Sequence, residues 1–126
     1  MPPIDQNTMR FFNRLSFDPQ FGGLGLEEEG DRISTTIGDN NVLVMGNHGV
    51  LVAAESTALA FDLLYYFERA CETLIIAYST GRPLNPVSDE IAELTARQWE
   101  DYSDGPENHF REIKAILDRE QPDYRT

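Results

Sequence analysis

The 126-residue sequence is poor in cysteine, poor in basic residues and free of long apolar runs. Its one cysteine, Cys71, excludes an internal disulfide framework and suits a reducing compartment. Ten Lys and Arg face 22 Asp and Glu, a formal net charge of -12. Nucleic acids and anionic membranes are bound through clustered Lys and Arg, so this balance excludes both as expected partners. No apolar stretch approaches the roughly 20 residues that span a bilayer. The opening Met1-Pro2-Pro3-Ile4-Asp5 lacks the basic start and apolar run of a signal peptide, so a cytoplasmic location is expected. No His-x-His, His-Glu-x-x-His or Cys-x-x-Cys occurs, and so spacing alone offers no metal motif. Gly22-Gly23-Leu24-Gly25 has neither the lysine nor the spacing of a phosphate loop.

What is present suits one small domain with a real core. Residues 9–17, mixed and aromatic, read as a strand. Gly22, Gly23 and Gly25 break that pattern, and a short helix over 27–37 follows, with Glu27, Glu28 and Glu29 at its positive end. Gly38 fits its C-terminus. Val42–Met45 and Val50–Ala54 are continuous apolar runs on either side of Gly46-Asn47-His48-Gly49, a tight hairpin or a bent strand pair.

Ser56 caps a long helix to about Thr80, closed by Gly81 and Pro83. Helical spacing puts Leu59, Leu63, Tyr66, Phe67, Ala70, Cys71, Leu74, Ala77 and Tyr78 on a broad apolar arc. Asp62, Tyr65, Arg69, Glu72 and Thr73 form the opposite polar stripe. Ser88 caps a helix over 89–101 with Ile91, Leu94 and Ala96 inward. A last helix over about 107–120 turns Phe110, Ile113 and Leu117 inward. Three strands and four helices result, a small sheet for so much helical apolar surface.

Few residues here could carry chemistry. His48, between glycines at a strand break, reads either as a turn histidine bonded to backbone or as a metal ligand or acid–base group at a strand end. His109 reads as a surface or packing residue. Cys71 lies on the apolar arc and reads as core. Glu68, Arg69 and Glu72 suit surface ion pairs, and Trp99, Tyr102 and Phe110 suit a core or subunit contact.

The segment Val42–Val52, with Asn47-His48-Gly49 at its centre, resembles the class II aldolase/adducin family. Ala58, Ala60 and Phe61 fall where that family begins its long helix, and Tyr65-Tyr66-Phe67-Glu68-Arg69-Ala70-Cys71-Glu72 is similar to its "YLERACE"-like stretch. Asp5–Phe12 resembles the family's strand entry upstream. The likeness covers roughly residues 2–100.

The resemblance implies a three-layer α/β/α fold. It also implies a divalent metal, usually zinc, that polarises a carbonyl during aldol cleavage or related enolate chemistry on small hydroxy-carbonyl compounds or sugar phosphates. His48 matches the third of the family's three metal histidines. The first two, a His-x-His, belong to an N-terminal half that this sequence does not match. Residues 1–126 are therefore expected to form a single partial domain, the C-terminal half, with three strands and four helices. Such a chain would be inactive alone and would hold no metal tightly. It would act as a lyase only with an N-terminal-half partner chain, and take a small-molecule substrate only then. Self-association through the sheet edge is expected. The rival reading is a non-catalytic, adducin-like interaction and oligomerisation module.

Overall fold

The computed structural model describes residues 1–20, 23 and 27–125. The breaks expected at Gly22 and Gly25, and the loop Gly22–Gly25 as a whole, lie outside these residues except for Gly23. Asp5 opens the first helix, α1 (Gln6–Arg10), by accepting a hydrogen bond from the Thr8 N–H at 2.8 Å. Thr8 Oγ1 accepts in return from the Asp5 N–H at 3.0 Å. This reciprocal cap starts a helix where the sequence reading expects a strand over 9–17. Asn13, at φ 55°, then reverses the chain, so the strand β1 is confined to Leu15–Asp18.

β1 pairs in parallel with β2 (Val42–Met45), and β2 pairs antiparallel with β3 (Gly49–Val52), in the order β1-β2-β3. A parallel pair needs a crossover, and α2 (Glu27–Ile37) supplies it. Its last turn is tied to β1 by Ser16 Oγ, which donates to the Ile37 carbonyl at 2.8 Å. Gly38, at φ 57°, ends it as expected.

The long helix α3 (Thr57–Ser79) covers the other sheet face. Phe67 and Ala70 pack with Phe11 and Val42, and Leu15, Val44, Val50 and Val52 close the cluster. The rings of Phe11 and Phe67 meet edge-to-face at 5.6 Å. The result is helix, sheet, helix: a three-layer α/β/α arrangement. Two further helices, α4 (Asp89–Asp101) and α5 (Gly105–Glu120), flank α1 and α3, and a 3-10 turn covers Pro122–Arg125.

The described residues therefore hold five α-helices, not four, because α1 occupies part of the expected strand. Other differences concern facing. Asp62, expected on the polar stripe of α3, is buried. It lies one turn from buried Ala58 and half-buried Tyr66, a row turned toward α1 and α5. Tyr78, expected inward, is exposed where α3 runs past its neighbours. In α4 the small residues Ala92 and Ala96 face inward, and Ile91 and Leu94 are exposed. Close approach of α4 to α1 selects alanine there. Among the described residues no helix is long and apolar enough to cross a membrane.

Candidate functional site

His48 lies in the Gly46-Asn47-His48 turn that joins β2 to β3 and is exposed. The turn is fixed from both sides. The His48 N–H donates to the Met45 carbonyl at 3.2 Å, and the Gly46 N–H donates to the Asp18 carbonyl at 2.7 Å. A Cβ on Gly46 would meet the Asp18 and Pro19 carbonyl oxygens at 3.4 Å, ordinary van der Waals contact, so the turn packs closely on the end of β1. Asn47 occupies the left-handed region at φ 59°, which asparagine tolerates better than most residues.

The end of β1 is held in turn by charge. Asp18, buried, accepts from Arg32 at 2.5 Å and from the Gln20 N–H at 3.0 Å. The Arg32 guanidinium, and then that N–H, lower the Asp18 pKa below its ordinary value. His48 is thus presented on a braced turn at the carboxyl ends of the parallel pair β1 and β2. That end of an α/β sheet is where ligands bind.

A catalytic zinc takes three protein ligands and keeps one position open. Among the described residues no three His, Cys, Asp or Glu side chains come together to hold a metal ion. Among the described residues, His48 is therefore not part of a three-donor cluster that would fit a resident metal.

A second cluster was not expected from sequence. Arg10 Nη2 donates to Asp62 Oδ2 at 2.6 Å, and Asp62 Oδ1 lies 2.7 Å from His109 Nδ1. The Arg10 guanidinium stands over the rings of Tyr66 and Trp99, 4.9 and 4.8 Å from their centres. His109 packs on Phe61, Tyr65 and Tyr66. Burial, then the Asp62 charge, push the Tyr66 phenol up. His109 does pack, as read, but it also makes a side-chain hydrogen bond with Asp62 that ties α5 to α3. The available signal was the i, i+4 row Ala58, Asp62, Tyr66, which places the carboxylate among packing residues.

The other candidates fall as read, with one exception. Cys71 is half-buried, and burial raises its thiol pKa. Arg69 pairs with Glu72 at 2.9 Å on the surface. Trp99 and Phe110 do not share one patch with Tyr102. Trp99 packs on Tyr66, Phe110 packs on Phe61, and Tyr102 is exposed.

Comparison with known proteins agrees with this architecture. The profile of the family described as "Class II Aldolase and Adducin N-terminal domain" matches residues 1–75. A match beginning at residue 1 lends no support to the expected C-terminal-half assignment. An aldolase class 2 protein from Pseudomonas aeruginosa is 30% identical over 89 residues, 71% of this chain and 34% of its own length. The decarboxylase NovR from Streptomyces niveus is 27% identical over 99 residues, 78% of this chain and 36% of its length. The crystal structure of an aldolase II superfamily protein from Pseudomonas syringae superposes with a TM-score of 0.89 at 27% identity. It covers 99% of this chain and 51% of that one. The L-fuculose 1-phosphate aldolase from Glaciozyma antarctica shares the fold, with a TM-score of 0.73 at 16% identity over 94% of this chain and 45% of that one. The chain thus spans about a third of the length of these curated relatives and about half of these solved structures.

Proposed function

The chain belongs to the class II aldolase and adducin family, and on that premise we propose that it supplies His48 to a divalent-metal site completed by residues outside residues 1–126. The observation that carries this reading is the turn itself. His48 is exposed on a segment braced by Gly46, Asp18 and Arg32, at the sheet end where α/β proteins bind ligands. A histidine exposed on a rigid turn can be reached by a metal ion.

The reaction class in this reading is carbon–carbon lysis or a related enolate-forming step on a small hydroxy-carbonyl compound. Similar proteins support that range: an L-fuculose 1-phosphate aldolase and a decarboxylase both break a carbon–carbon bond next to a carbonyl or carboxyl group. The metal, zinc or another divalent ion, would supply charge stabilisation when bound. This chain's part is to hold one donor in place. Alone it is inactive and retains no metal tightly. The chain's single free thiol and acidic surface suit a cytoplasmic setting.

The test is metal content after dialysis, measured on the chain alone and after mixing with the N-terminal half of the Pseudomonas syringae protein. The reading expects zinc only in the mixture, and its loss in His48→Ala. Stoichiometric zinc on the chain alone, removed by that substitution, would overturn it.

A further inference from the structure

We propose that the cavity beside Arg10 receives the carboxylate of a small organic acid whose flat apolar body lies in the adjoining cleft. The inner cavity, of about 50 Å3, is bounded by Arg10, Asp62, Tyr66 and His109 among others. An open cleft of about 550 Å3 adjoins it and shares Arg10, Trp99, Tyr102 and Pro106 with it. His48 lines neither space, so this site stands or falls independently of the reading above.

The starting observation is an unused donor. The Arg10 side chain is only 7% exposed, yet its Nη1 has no hydrogen-bond partner. Leaving a buried charged donor unpaired is costly, and folded proteins seldom do so without a water or ligand to accept from it. The faces of Tyr66 and Trp99 attract the positive charge but do not replace a directed oxygen acceptor. Asp62 Oδ2 accepts from Arg10 Nη2 and Oδ1 lies against His109, and neither oxygen reaches Nη1. No described residue accepts from Nη1, which leaves it to water or to a ligand.

The surroundings select its chemistry. A guanidinium fork suits the two oxygens of a carboxylate. The cleft wall carries Leu59, Leu63 and the ring of Trp99, a surface for a flat apolar body. Asp39, Glu55, Glu100 and Glu107 outnumber Arg14 at the same cleft and disfavour a second negative charge. The ligand is therefore a monocarboxylate rather than a phosphate or a diacid. Tyr102, exposed and packed on Gly105, lines both spaces.

Trp99 is the sole tryptophan, so its emission reports binding directly. The probes are benzoate, phthalate and benzylamine. Benzoate should give a saturable change with a Kd on the order of 1 mM, phthalate one at least about tenfold weaker, and benzylamine none. Arg10→Lys keeps the charge but loses the fork, and should weaken benzoate about tenfold or more. If that variant fails to fold, Glu55→Gln at the exposed rim decides instead, by narrowing the gap between phthalate and benzoate. Benzylamine binding as well as benzoate, an undiminished folded Arg10→Lys, or an unchanged gap in Glu55→Gln would overturn the proposal. So would the absence of any saturable benzoate response, which would leave Nη1 to water.

Discussion

Arg10 on α1 and Asp62 on α3 meet at 2.6 Å with side chains 7% and 5% exposed, 52 residues apart in sequence. This ion pair, with His109 on α5, joins α1, α3 and α5. Removing one partner leaves the other charge buried. Asp62→Ala should therefore destabilise the fold by roughly 3–5 kcal/mol, measured by urea denaturation. Replacing both partners, as Arg10→Met with Asp62→Leu, should cost much less, because no stranded charge remains. A double variant as unstable as the single one would show that the loss does not come from a stranded charge.

Glu93 sets a second expectation. Arg14 Nη1 donates to it at 2.5 Å and Arg97 Nε at 2.9 Å, and these bonds lower its pKa from 4.5 to about 2. A depressed carboxylate stabilises the fold fully above its unfolded value. The contribution is lost as pH falls from 4.5 toward 2. Thermal melts across that range should fall more steeply for the natural protein than for Glu93→Gln. Parallel curves would mean that the Arg14 and Arg97 contacts do not couple to folding.

The His48 turn yields a contrast within three residues. His48→Asn, at an exposed side chain, should change stability by no more than about 0.5 kcal/mol. Asn47→Val forces a β-branched residue into φ 59° and should cost roughly 1–2 kcal/mol or more. Asn47→Gly should be tolerated. A loss above about 2 kcal/mol in His48→Asn would make His48 a structural residue and remove the basis for a ligand role.

Association follows from surface that the fold leaves uncovered. Ile75, Ile76 and Tyr78 are exposed on α3, and β1 and β3 each pair on one side only. Open edges and apolar patches favour self-association, which the -12 charge opposes most at low salt. Light scattering should show the average mass rising with salt and concentration. A monodisperse monomer at high salt and high concentration would contradict this.

Much of the architecture was legible because local chemistry and tertiary packing agree. Ser56 and Ser88 cap α3 and α4 where the sequence places them, and Gly38 and Gly81 end α2 and α3 in left-handed conformations. Residues 9–17 misled because their apolar and aromatic character suits a strand, while the Asp5–Thr8 cap and the Asn13 reversal act over only a few positions. The His48 turn could be read from its flanking glycines and apolar strands. The Arg10–Asp62–His109 cluster could not, because each residue taken alone resembles an ordinary polar surface residue. Only the meeting of α1, α3 and α5 buries them together.

The central claim is that His48 is one ligand of a metal site that residues 1–126 do not complete. Cobalt(II) can substitute for zinc and reports its ligands by absorption, so the direct measurement is a cobalt titration of the chain alone and with the N-terminal half of the Pseudomonas syringae protein. Ligand-field bands should appear only in the mixture and should be lost with His48→Ala. Bands of equal strength on the chain alone, or bands in the mixture that survive His48→Ala, would contradict it.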